Sequence, residues 1–180
     1  AAIVPCCVDI ARFSAAERSR ESIRQQHGWQ NCVLVCYCGG LDGWQKVEQS
    51  LAIAAHLRRT DARVFFLLLT ASDPAPLRAA LARLGQEGRD YAIVTAPPQQ
   101  IPEYLAAADI GFLLRDKSQV NHVASSTKCG EYLAAGMPVI TTPFAGDSPA
   151  VIGKSGCGFV LSSSEPEATE QAALRVFVED

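Results

Sequence analysis

The chain has 180 residues, enough for one domain with a core of useful size, and its 48% apolar share is that of a folded protein. A net charge of −3 with no long run of either sign offers no basic surface for nucleic acid, and no apolar run approaches a bilayer-spanning helix. The seven cysteines include no Cys-x-x-Cys pair and no neighbouring histidine cluster, so buried thiols in a reducing cytoplasm are expected ahead of disulfides or zinc. The start, Ala1-Ala-Ile-Val-Pro-Cys-Cys7, has neither a basic leader nor a secretory pattern and reads as cut from something longer.

In chain order, Ser14-Ala-Ala-Glu17 predicts a capping box for a helix running to His27, with Gly28 as its stop. Cys32-Val-Leu-Val-Cys-Tyr-Cys38 is a continuous apolar run, the pattern of a parallel strand buried on both faces. Val47, Leu51, Ala54 and Leu57 recur at helical spacing. Val64 to Thr70 is a second strand, Pro76 to Leu84 a helix stopped by Gly85, and Tyr91 to Thr95 a third strand. Ile101 to Ala107 is a short helix with Pro102 in its first turn, before a fourth strand at Ile110 to Leu114. Lys128 to Ala135 is a helix closed by Gly136, Val139 to Thr142 a fifth strand, Gly158 to Leu161 a short sixth and Glu167 to Val176 a last helix. Such alternation predicts an α/β domain: a Rossmann-like, mostly parallel sheet with helices on both faces, binding its ligand at the carboxyl ends of the strands.

Two strand-end loops offer chemistry. In Gly39-Gly40-Leu-Asp-Gly-Trp-Gln45-Lys46, the paired glycines let backbone approach a ligand, and Gln45 or Lys46 adds a donor at the next helix. A tight turn without a ligand fits that loop equally well. In Asp116 to Lys128, a long polar connector, Ser125, Ser126 and Thr127 stand at a helix start with Lys128 as counter-charge and Glu131 one turn on. Hydroxyls and amides there suit a phosphate, and a carboxylate at Glu131 suits a ribose. The plainer alternative is a helix cap and a weak surface pair between Lys128 and Glu131. No Ser–His–Asp or Cys–His pairing and no metal-ligand cluster is legible, and His122 is the only histidine in a candidate loop.

The segment Ser125-Ser-Thr-Lys-Cys-Gly-Glu-Tyr-Leu-Ala-Ala-Gly-Met-Pro-Val-Ile140 resembles a signature of the retaining, GT-B-fold glycosyltransferases of family 4 (group 1). Ile3 to Asp9 with Phe13, Tyr37 to Gln45 and Ile101 to Ile110 are similar to three further stretches of that family, in the same order. The resemblance covers roughly residues 1–165 and implies that residues 1–180 are a GT-B donor-domain half, a nucleotide-sugar-binding domain without its N-terminal acceptor domain. It implies that Glu131 holds the ribose and that Ser126, Thr127 and Lys128 lie near the diphosphate. Gly39, Gly40 and either Gln45 or Lys46 would face the phosphates from the other side. Two departures stand out. Val123 occupies the place, eight positions before Glu131, where many members carry a second glutamate, and Gly40 replaces an arginine frequent in the first loop.

The expectation is therefore transfer of a glycosyl group, with retention, from a nucleoside-diphosphate sugar to an acceptor hydroxyl. No cofactor or metal is expected, and no catalytic residue is assigned. The acceptor, a glycan or lipid-linked glycan, would be met through the missing domain. That places the protein in the cytoplasm or at the inner membrane face, and the isolated 180 residues would bind nucleotide weakly and transfer nothing. Two alternatives are a sugar-nucleotide epimerase of similar fold, for which His122 is the one histidine candidate, and a non-catalytic α/β module such as a receiver-like domain.

Overall fold

The computed structural model describes residues 6–166 together with Glu170 and Phe177; the helix expected from Glu167 to Val176 lies, apart from Glu170, outside the described residues. The first helix starts earlier than its sequence suggests. Asp9 caps α1, Ile10–Ala16, by accepting from the Arg12 N–H at 3.3 Å, so Ser14 falls inside a helix already capped and its capping box does not form. A 3-10 turn at Glu17–Ser19 leads into α2, Arg20–His27, which ends at Gly28 as expected.

The alternation then follows: β1 Val33–Cys38, α3 Val47–Thr60, β2 Val64–Leu69, α4 Arg78–Leu84, β3 Tyr91–Val94, α5 Ile101–Ala107 and β4 Ile110–Leu113. After β4 come α6 Gln119–Val123, α7 Thr127–Ala134, β5 Val139–Thr141, α8 Ser148–Ser155 and β6 Gly158–Val160. Two helices are additions to the sequence reading. The short α6 is capped by Ser118, whose hydroxyl accepts from the Asn121 N–H at 3.2 Å, and α8 carries Pro149 in its first turn and ends at Gly156.

All six strands are parallel, in the order β3-β2-β1-β4-β5-β6. This is the doubly wound order with its reversal between β1 and β4, not the 2-1-3-4-5 order of receiver-like domains. Buried strands alternate their side chains between two cores. Val35, Tyr37, Phe66 and Leu68 pack beneath α3 and α4 with Leu51, Leu57 and Leu81, while Leu34, Cys36, Phe65 and Leu67 pack with Trp29, Leu105 and Tyr132. Each such side chain contributes about 1.5–3 kcal/mol of burial.

One contact seats α7 on the sheet. The fully buried Tyr132 lies over Gly111 of β4, where an added Cβ would come within 2.5 Å of its ring, and its hydroxyl accepts from the Cys38 N–H at 2.9 Å. The end of β1 and the body of α7 are thus fixed to each other at the point where the strand order reverses. At the opposite edge, Arg24 and Arg20 converge on Asp109, which also accepts from the Leu34 N–H at 2.7 Å, a saturated structural cluster. No helix among the described residues is long and apolar enough to cross a membrane.

Candidate functional site at the carboxyl edge of the sheet

Gly39 follows β1 with φ of 143°, a conformation open to glycine and strained for other residues. The space a side chain would fill there is taken by Lys128: an added Cβ would lie 2.3 Å from its Cε and 2.4 Å from its Nζ. From the first turn of α7, Lys128 reaches across to donate to Gln45 Oε1 at 2.8 Å and to the Tyr37 hydroxyl at 3.3 Å, with its ammonium 5.1 Å from the Tyr37 ring centre. The Tyr37 hydroxyl donates in turn to the Gly40 carbonyl at 2.5 Å. Gln45 is buried, so the first loop meets α7 through this amide. Burial, and then the neighbouring charge of Arg115, push the Lys128 pKa down to about 8.

Lys46 takes a different course. It opens α3 in a left-handed conformation, φ 51°, and its ammonium pairs with Asp116 at 3.3 Å. Asp116 also accepts from Asn121 Nδ2 at 2.6 Å within the segment after β4, so the Lys46–Asp116 pair ties that segment to the loop after β1.

Ser126 occupies the N-cap position of α7, and its hydroxyl makes no capping bond, so the first amides of this eight-residue helix are not spent on it. Ser126, Thr127 and Lys128 line a cavity of about 190 Å³ together with Ser125, Trp44, Arg115 and Asn121. That is room enough for a phosphate group. A wider apolar groove of about 1060 Å³ runs along α6 beside Pro143 and Phe144, with Val120 and Val123 exposed in it.

Glu131 is half-buried one turn along α7, outside the lining of the small cavity. Burial, and then the Glu131 charge, raise the pKa of Cys38, which places the carboxylate near the end of β1. It forms no ion pair with Lys128 and no hydrogen bond among the described residues, and burial raises its own pKa. The weak surface pair weighed for Lys128 and Glu131 is therefore not made. His122 is exposed along the apolar groove rather than in the cavity. No group of three or more His, Cys, Asp or Glu among the described residues is placed to hold a metal.

Sequence reasoning missed Arg115 and gave no role to Trp44 or Thr142. The Thr142 hydroxyl accepts from the Arg115 N–H at 2.9 Å and donates to the Arg115 carbonyl at 2.8 Å, fixing the residue just past β4. The available signal was an arginine directly after a wholly apolar strand, at the sheet edge where ligands bind.

Several solved structures share this architecture. WaaG, a glycosyltransferase involved in lipopolysaccharide biosynthesis, is 24% identical, with a TM-score of 0.77 over 99% of this chain and 47% of its own. The C-terminal domain of LpcC, a glycosyl transferase group 1 family protein from Francisella tularensis, is 16% identical, with a TM-score of 0.69 over 96% of this chain and 88% of its own. Anabaena HepE in complex with UDP-glucose is 19% identical, with a TM-score of 0.71 over 96% of this chain and 45% of its own. These likenesses show the fold, and the chain spans about half the length of WaaG and HepE. No curated protein matches the chain. Residues 32–179 match the family described as glycosyl transferases group 1, and the chain belongs to that family.

Proposed function

We propose that this chain binds a nucleoside-diphosphate sugar at the crevice between β1 and β4 and presents it for glycosyl transfer to an acceptor hydroxyl. One observation carries the reading: a half-buried lysine, Lys128, stands at a helix N-terminus against Gly39, with the unpaired carboxylate of Glu131 one turn further on. A cation and free helix amides suit the diphosphate. A carboxylate with both oxygens unspent suits two ribose hydroxyls. Ser126 and Thr127 add hydroxyl donors, and Gly39 and Gly40 allow close approach from the other side. Gln45 serves by holding Lys128. Lys46, held by Asp116, is the more distant member of the set.

In such transfer the departing group is the nucleoside diphosphate, and stabilising its developing charge is the work these groups are suited to do. Retention of anomeric configuration is what the resemblance implies. HepE was solved with UDP-glucose, which makes UDP the first nucleotide to try, with GDP and ADP beside it. We place acceptor recognition outside these 180 residues, in keeping with the half-length coverage of WaaG and HepE. Titration of UDP, GDP and ADP into the chain tests the reading. Saturable binding of one of them, with no sugar transfer by the chain alone, is expected. Absence of binding by all three overturns it.

A further inference from the structure

We propose that Arg115 is the second cation of this site, a guanidinium aimed by Trp44 that contacts the phosphates of the bound nucleotide beside Lys128. The inference rests on the nucleotide reading above and adds two residues to it.

Two arginines are nearly buried among the described residues, and they differ in one respect. Arg24, 6% exposed, spends its guanidinium on Asp109 and on the carbonyls of Ala107 and Cys32. Arg115, 5% exposed, has no carboxylate partner among the described residues. Its guanidinium donates through Nη1 to its own Leu114 carbonyl at 2.8 Å, and its remaining donors are unspent. A nearly buried guanidinium that feels the Asp116 charge but has no carboxylate at ion-pair distance marks a place where an anion can be held.

The side chain is also held in place. Thr142 clamps the Arg115 backbone from both sides, and the guanidinium carbon lies 4.9 Å from the centre of the Trp44 ring. Stacking on an aromatic face fixes the guanidinium plane without using any of its N–H groups, which leaves them for a ligand. Trp44 itself is 48% exposed, so it covers the cavity from the solvent side rather than filling the core.

Charge points the same way. Arg115 and Lys128 line one cavity of about 190 Å³ at the start of α7, and each is desolvated. The nearest acid on this loop, Asp116, is already taken by Lys46 and Asn121. Two like charges beside a positive helix end favour a doubly charged guest.

The test compares binding of UDP, GDP and ADP with binding of the matching nucleosides, in the wild type and in Arg115→Gln, Arg115→Lys, Trp44→Ala and Lys128→Ala. Arg115→Gln is expected to weaken the preferred diphosphate about 10- to 100-fold while leaving the nucleoside unchanged. Arg115→Lys, which keeps the charge but not the planar fork, should fall between. Trp44→Ala, at an exposed position that folding tolerates, should weaken the diphosphate several-fold, again sparing the nucleoside. Equal losses for diphosphate and nucleoside would mean that Arg115 serves only the fold. Unchanged diphosphate affinity in Arg115→Gln and Trp44→Ala, alongside a loss in Lys128→Ala, would remove Arg115 and leave the nucleotide reading standing. No binding of any nucleotide by the wild type would remove both.

Discussion

The Lys128 ammonium lies 2.8 Å from Gln45 Oε1, so the first turn of α7 meets the loop after β1 through a lysine at the point where the strand order reverses. Its two hydrogen-bond partners do not neutralise it: Gln45 and Tyr37 are uncharged, and the Glu131 and Asp42 charges act on it without pairing. A half-buried cation without a direct ion pair is ready for an anion in a way that a salt-bridged lysine is not.

Lys128→Ala is therefore expected to weaken UDP about 10- to 100-fold and uridine little, by calorimetric titration. The pH dependence carries a sign. Binding needs the ammonium form, and the free protein's Lys128 loses its proton around pH 8 because of burial and Arg115. Affinity for UDP should be greatest near pH 7, where its terminal phosphate is largely ionised, and fall above pH 8, by up to about tenfold per pH unit. In Lys128→Arg the decline should vanish over the same window. A flat wild-type profile would take Lys128 out of the phosphate contact.

Glu131→Ala should cost the fold little, since burial of the carboxylate outweighs its attraction to Arg12 and Lys128 and it makes no ion pair or hydrogen bond among the described residues. Its melting temperature should match or exceed that of the wild type, while affinity for UDP and for uridine falls together by about tenfold or more. Loss confined to the diphosphate would move Glu131 from the ribose to the phosphates.

Gly39→Ala places a methyl group where Lys128 lies and forces a backbone angle of 143° on a residue with a side chain. About 1–3 kcal/mol of stability should be lost in urea unfolding, with weakened UDP binding. In a Lys128→Ala background the stability loss should shrink, because only the backbone strain remains. An unchanged loss would show that the two residues do not compete for that space.

The N-terminal helix gives a test of the fold alone. Asp9→Ala should destabilise by ~1 kcal/mol and Ser14→Ala should be close to neutral, since Asp9 caps α1 and Ser14 does not. The reverse order would restore the capping box at Ser14 to Glu17.

The strands were legible because a strand buried on both faces is a continuous apolar run. Val33–Cys38 and Val64–Leu69 stand out in that way, and the Gly39-Gly40 pair after the first pointed to the edge that matters. The helix start was less so: Asp9 and Ser14 are both good caps, and which one acts depends on where the chain leaves the preceding segment. In the site, the segment from Ser125 to Glu131 was visible as hydroxyls before a helix. Arg115 was not, because its value comes from what it lacks, a carboxylate partner, and from Trp44, 71 positions away in the chain, meeting it across the sheet edge. The Lys46–Asp116 pair was hidden for the same reason: a lysine in a loop does not announce which charge it will find.

The most direct measurement is an amide chemical-shift map of the chain during titration with UDP, GDP or ADP. Progressive shifts concentrated at Gly39, Gly40 and Ser126 to Glu131 are what a nucleotide gripped between β1 and β4 requires. Shifts confined to the other rim, around Asp109 and Gly136, or none at saturating nucleotide, would contradict it.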